Sequence, residues 1–135
     1  MQAPLPKLTP ENTPFWTGGL EGKLLIMACL DCDHRIHPPQ LVCPNCLSER
    51  VEPQETSGTG TIYAYTINRQ PWMPGLAVPY ALVIVDLDDQ PGVRLTARLE
   101  NWTGQDIRIG SEVTVVFEPS GDVAIPAFRL PEASA

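Results

Sequence analysis

Positive charge is scarce in this sequence. Nine Lys and Arg face sixteen Asp and Glu, for a formal net charge of −7. The deficit is even: residues 1–57 carry four basic and seven acidic side chains, residues 58–135 five and nine. Affinity for nucleic acid is built mainly from Lys and Arg on phosphates, so DNA, RNA and anionic membrane surfaces are poor partners. Long apolar runs are missing as well. The longest, Leu24 to Leu30, falls far short of the roughly 18–20 residues that span a bilayer. Met1 to Lys7 lack the apolar stretch of a secretory signal, so the expected location is cytoplasmic. Catalytic signatures are also wanting. There is no G-x-S-x-G elbow and no Cys–His pair outside the cysteine-rich segment. Gly58-x-Gly60 lacks the third glycine and following helix of a phosphate loop. The chain is expected to be non-catalytic on its own.

Proline, by contrast, is plentiful. Fifteen in 135 residues is about twice average usage, which works against a helical bundle and favours short strands joined by rigid turns. Composition divides the chain into four parts. Residues 1–22 hold Thr13-Pro14, which reads as an N-cap and a first-turn proline, and predict a short helix over Pro14 to Glu21. Gly18-Gly19 weakens that helix. Residues 23–56 contain all the cysteines and both histidines but too little apolar surface to fold without a staple.

Residues 57–131 read as strands. Thr61 to Arg69 is rich in Thr, Ile and Tyr, and Tyr80 to Leu87 is almost continuously apolar, as a strand covered on both faces would be. Val93 to Leu99 alternates, with Val93, Leu95, Ala97 and Leu99 on one side and Arg94, Thr96 and Arg98 on the other. Val113 to Phe117 reads as a buried run, and Ile125 to Leu130 as a last short strand before a tail at 132–135. Five short strands in about 75 residues fit a bent barrel of the OB type. The expected fold is mainly β: a short N-terminal helix, a rubredoxin-like zinc ribbon and a five-stranded OB barrel.

Cys29-x-x-Cys32 and Cys43-x-x-Cys46 carry the chemistry. Each C-x-x-C loop aims two thiolates and several backbone N–H groups at one ion, and two such loops close a tetrahedron of sulfurs that suits one structural zinc. Thiolates also suit iron, which leaves a rubredoxin-like electron carrier as an alternative. A disulfide reading fails on compartment. A four-sulfur site is coordinatively full and cannot activate water. His34 and His37, just beyond the first loop, read as exposed loop histidines. Asp86, Asp88 and Asp89 precede Pro91-Gly92 and read as turn residues.

With these pieces in order, the chain resembles the zinc-ribbon plus OB-fold family catalogued as domain of unknown function thirty-five. The resemblance runs over residues 14–131. It is carried by Phe15-Trp16 with Gly22, Leu24 leading to Cys29-x-x-Cys32, Pro38-Pro39 before Cys43-Pro44-x-Cys46, Gly58-x-Gly60-Thr61, Pro79-Tyr80, Ile109-Gly110 before Val113, and Phe128-Arg129. The family often has glycine after each knuckle, where this chain has Asp33 and Leu47.

The resemblance implies a non-catalytic accessory subunit. Its partner would be a thiolase-fold enzyme (thiolase, acyltransferase or aldolase) that makes or breaks C–C bonds in acyl-CoA thioesters, including steroid side-chain aldolases. A nucleic-acid-binding ribbon/OB module is the competing reading, and the acidic charge opposes it. Residues suited to a partner interface are Phe15 and Trp16, with Trp72, Met73 and Leu76 in a loop between strands. Arg69, Arg94, Arg98 and Arg129 are candidates for CoA contact in a joint site, against a plainer reading as solvated strand faces.

Overall fold

The computed structural model describes residues 6–71, 74–75, 77–90, 92–100 and 102–131. A helix α1 (Thr13–Thr17) runs into a 3-10 turn (Gly18–Glu21). Eight strands follow: β1 (Leu25–Cys29), β2 (Arg35–Ile36), β3 (Val51–Glu55), β4 (Thr59–Asn68), β5 (Tyr80–Leu87), β6 (Arg94–Arg98), β7 (Glu112–Ser120) and β8 (Val123–Arg129). The first three form a small antiparallel sheet in the order β2-β1-β3, the last five a sheet in the order β6-β5-β4-β7-β8. A parallel bridge between Leu99 and Phe128 brings the two ends of the larger sheet together. This is the ribbon followed by the OB barrel, and the fold class is mainly β with one short helix.

The helical segment differs from the expected one. Asn12, not Thr13, stands at the N-cap, and the Thr13 hydroxyl donates back to the Thr9 carbonyl at 2.6 Å. The α-helix stops at Thr17 and tightens into the 3-10 turn because two glycines let the barrel come close. A Cβ on Gly19 would lie 2.3 Å from the Phe117 ring, and one on Gly18 2.7 Å from the Lys23 carbonyl oxygen.

β4 is the strand on which the barrel bends. It pairs with β5 along its length but with β7 only through Thr59, Gly60 and Thr61, and a bulge between Ile62 and Ala64 turns it. A Cβ on Gly60 would sit 2.5 Å from the Asp86 carbonyl oxygen, so that crossing requires glycine. β5 is not covered on both faces as its composition suggests. Ala81, Val83, Val85 and Leu87 are buried, whereas Leu82, Ile84 and Asp86 are only half-buried, because the barrel encloses one face of the strand. β7 likewise buries only Val113 fully; Val115 and Phe117 are half-buried and pack against the core from its rim. β6 keeps the expected alternation, with Leu95 buried and Arg94, Thr96 and Arg98 exposed.

Two hydrophobic clusters meet at the ribbon's central strand. Leu24 and Ile26 join the large barrel cluster with Phe15, Ile62, Val83, Val85 and Phe128. Met27 and Cys29 join a small cluster with Ile36 and Cys43, rimmed by Val51. Ribbon and barrel are thus packed against each other through β1, and its Ile26 side chain is completely buried. No helix among the described residues is long and apolar enough to cross a membrane.

Candidate metal centre and interaction surfaces

The two cysteine loops are copies of one another. The Cys29 N–H donates to the His34 carbonyl and the Asp33 N–H to the Cys29 carbonyl, at 2.9 and 3.0 Å. The Cys43 N–H donates to the Ser48 carbonyl and the Leu47 N–H to the Cys43 carbonyl, both at 2.8 Å. Each loop turns on a residue of positive φ, Asp33 at 62° and Leu47 at 65°. These are the places where the family resemblance expects glycine. The knuckle geometry is therefore kept without it, in a region that costs non-glycine residues roughly 1–2 kcal/mol. Asp33 offsets part of this by accepting a bond from the Arg35 guanidinium at 2.8 Å. Leu47 has no such partner and is 75% exposed.

The loops bring all four sulfurs within 4.8 Å of one another. Cys29 and Cys46 are 3.6 Å apart, as are Cys32 and Cys43. A disulfide needs about 2.05 Å, while a tetrahedron with metal–sulfur bonds of about 2.3 Å has edges near 3.8 Å. The spacing fits one four-coordinate metal ion. Further donors converge: the Asn45 side-chain amide reaches the Cys32 sulfur at 3.5 Å, and its backbone N–H the Cys43 sulfur at 3.4 Å. The Asn45 amide and the His34 backbone hold the Cys32 thiol down at about 6. For Cys46 the Ser48 backbone acts in the same sense, but the neighbouring Cys32 sulfur, burial and the other two thiols push it up to about 12. Four sulfurs this close cannot all ionise unaided, and a divalent cation supplies the positive charge that lets them do so. Asp31 ties the knuckles together by accepting from the Ser48 hydroxyl and the Arg50 guanidinium.

The histidines part ways. His34 is exposed, as expected. His37 is not an exposed loop residue: it is half-buried with its ring 5.1 Å from that of Phe15, and its Nδ1 is buried without a partner among the described residues. Burial lowers its pKa below the ordinary value of 6.5. Only spatial contact with a residue more than twenty positions away marks it out, so no local pattern in the sequence signals it. Asp86 lies in β5 rather than in the turn and accepts from Arg94 at 2.9 Å, while Asp89 accepts the Ser57 N–H at 2.7 Å in the turn after β5.

Phe15 is 5% exposed and belongs to the barrel core, so in this chain it is an internal residue, not an available anchor. Trp16, edge-on to Phe15 at 4.8 Å, is half-buried and lines a groove of about 750 Å³. Trp72, Met73 and Leu76 lie outside the described residues. The four arginines are not gathered in one place. Arg94 and Arg98 line the groove, Arg69 lies in a separate hollow with Tyr65 and Trp102, and Arg129 pairs with Glu100 at 2.7 Å. Arg94 lies 3.7 Å over the Tyr63 ring and Arg98 4.6 Å over that of Tyr80.

Comparison with known proteins agrees with this architecture. Residues 16–52 match the family model for the ChsH2 rubredoxin-like zinc ribbon domain, and residues 53–118 that for the ChsH2 C-terminal OB-fold domain. The DUF35 domain-containing scaffold protein of Pyrococcus furiosus is 32% identical, over 76% of this chain and 74% of that protein. The probable enoyl-CoA hydratase alpha subunit of Thermomonospora curvata is 30% identical over 93% of this chain, which spans only 39% of that protein's length. Among solved structures, one described as the Ltp2-ChsH2(DUF35) aldolase superposes with a TM-score of 0.82 at 28% identity, covering 93% of this chain and 98% of that one. The paired knuckles, the barrel and these matches make this chain a member of the DUF35 family of zinc-ribbon and OB-fold proteins.

Proposed function

We propose that the chain is a non-catalytic accessory subunit of a hetero-oligomeric enzyme that acts on acyl-CoA thioesters. The observation that carries this reading is the near full-length likeness to a DUF35 chain of an aldolase. The relatives named as a scaffold protein and as a hydratase subunit point the same way. The finer reading follows the family resemblance: the partner is a thiolase-fold enzyme that makes or breaks C–C bonds in thioesters of steroid or other lipid side chains. The partner carries the reacting groups, and this chain supports its substrate channel.

Within that role, Cys29, Cys32, Cys43 and Cys46 hold one zinc. Bound there, zinc supplies a cross-link and no water activation, because all four positions are taken by sulfur. A reducing, cytoplasmic setting keeps the thiols available to it. Trp16, Trp72, Met73 and Leu76 supply apolar anchors.

The test is reconstitution. The chain alone should show no turnover on any acyl-CoA. Co-expressed with a thiolase-fold partner enzyme, it should elute as a stable hetero-oligomer and be needed for that enzyme's solubility or activity. Trp72→Ala should weaken the association at least about thirtyfold with zinc content unchanged. Turnover by the isolated chain after a high-salt wash, or failure of the wild-type chain to bind that enzyme, overturns the reading.

A further inference from the structure

The groove of about 750 Å³ lies where three parts of the chain meet. The helical segment supplies Trp16, the ribbon Pro38, and the barrel Leu82, Ile125 and Pro126. A concave site of roughly 300–1,000 Å³ with apolar walls encloses a small molecule when a few polar groups fix its orientation. Which molecule fits is decided by the polar groups of this groove that have no partner on the chain.

Those groups are donors. Arg98 lies over the Tyr80 ring at 4.6 Å, and among the described residues its guanidinium has no hydrogen-bond or carboxylate partner. Arg94 lies over the Tyr63 ring at 3.7 Å and uses its Nε on Asp86, which leaves both of its Nη groups. Stacking holds each planar fork in place, so little order is lost when it takes an acceptor. His37 is the third. Its Nδ1 is buried without a partner, and among the described residues its Nε2 has none either. A buried N–H without an acceptor is rarer than a bare acceptor, so the neutral ring carries its proton on Nε2, the accessible nitrogen. Asn12, by contrast, is satisfied: it accepts the Thr9 N–H at 2.7 Å and donates to the Lys7 carbonyl at 3.1 Å.

Unused donors beside apolar walls call for an anion with an apolar body. Charge limits that anion to a single negative group. Against the two guanidiniums stand Glu11 in the groove wall and Asp86 beside Arg94, in a chain of net charge −7. A nucleotide or coenzyme A, with several phosphate charges, meets that field unfavourably, and so does an acidic run of another protein. A lone carboxylate fits the guanidinium fork and adds the least repulsion.

We propose that this groove binds a free carboxylic acid with an apolar body, a fatty acid or its like. Arg98 takes the carboxylate, with the His37 Nε2–H as a second donor, and the body lies along Trp16, Pro38, Ile125 and Pro126. Water and an acyl thioester give such an acid and a free thiol, so the groove takes the hydrolysed form of the substrates proposed above. That link rests on the accessory role; the site itself does not.

Octanoate is the probe, titrated into the metal-loaded full chain by calorimetry. One equivalent should bind with a Kd below about 1 mM. Arg98→Gln should weaken binding at least about tenfold, the loss expected for a charge-assisted pair. Arg108→Gln removes the same charge outside the groove and should stay within about twofold of wild type. Octanol lacks the charge and acetate lacks the body, and each should bind at least about tenfold more weakly than octanoate. Should Arg98→Gln fail to fold, NMR of the wild-type chain decides: octanoate should shift the ring signals of Trp16 and His37 saturably and leave those of Trp102, in the separate hollow, in place. Absence of saturable binding overturns the inference, as do equal affinity in Arg98→Gln, equal affinity for octanol, and unmoved Trp16 and His37 signals. Tighter binding of coenzyme A than of octanoate makes the groove a polyanion site and overturns it too. Failure of the chain to bind a thiolase-fold enzyme overturns the accessory role instead and leaves this site standing.

Discussion

The ribbon and the barrel lie back to back on one strand and are held together by different forces. The barrel encloses a cluster running from Phe15 to Phe128, with Ile62, Val83, Val85 and Leu95 inside it. At roughly 1.5–3 kcal/mol for each large side chain, such a cluster stabilises a fold by itself. The ribbon cluster is Met27, Cys29, Ile36 and Cys43, with Val51 at its rim. Two of those four are the would-be metal ligands. Take the metal contribution away and the ribbon retains Met27 and Ile36, which cannot offset the ordering of three strands and two turns. Secondary structure alone therefore says little about what stabilises a region.

The strongest way to break the comparison is to attack the sulfurs. Cys43→Ser, or chelation of the wild-type protein, should remove the metal, and with it an apparent contribution of order 10 kcal/mol. Solubility should fall with metal content. Amides of β1–β3 should exchange freely while those of β4–β8 stay protected. Elemental analysis and hydrogen exchange read the two halves separately. Finding iron in place of zinc would change the chemistry of the site, and simultaneous loss of protection in both sheets would make β1 a strand that the barrel cannot spare.

The converse experiment attacks the barrel. Phe128 is completely buried and packs where β8 meets the end of β6. Phe128→Ala should cost about 3–5 kcal/mol by equilibrium denaturation, with one metal per chain retained in the folded fraction. A loss below about 1 kcal/mol would mean that the barrel relaxes around the hole. Metal loss in step with unfolding at low denaturant would mean that the ribbon depends on the barrel more than the barrel on the ribbon.

The two halves also differ in how legible they are in the sequence. The knuckles can be read directly because metal ligation fixes local spacing, and C-x-x-C carries its own geometry. The strands of the barrel are legible from period and composition, and the alternation from Val93 to Leu99 survives intact. Coverage is not legible in this way. Tyr80 to Leu87 is apolar on both sides, yet only alternate residues are buried, since the second face depends on which elements lie over it. The interface residues fail for the same reason. Phe15 and Trp16 are neighbours of similar character, and tertiary packing alone sends one into the core and leaves the other on a groove. His37 is hidden from the sequence because its partner is Phe15, on a different element.

His37 offers the smallest and most specific test, since it lies where ribbon and barrel touch. Burial against the Phe15 ring lowers its pKa in the folded chain below the ordinary 6.5, and its Nδ1 has no partner among the described residues. The unfolded chain therefore binds a proton near pH 6.5 that the folded chain does not yet take up. Stability should be flat with respect to this group above that pH. It should fall as pH drops from there through the folded-state value, then level off once both states are protonated. Glu11, Arg94 and Arg98 line the same groove. The arginines oppose a third positive charge, and Glu11 would favour it. His37→Gln cannot titrate, so the stability difference between variant and wild type, measured from pH 7.5 to 5.5, isolates this contribution from acid release of the metal. The variant should gain on the wild type as pH falls. If the wild type gains instead, protonated His37 finds Glu11, and the contact between ribbon and barrel becomes an ion pair in acid.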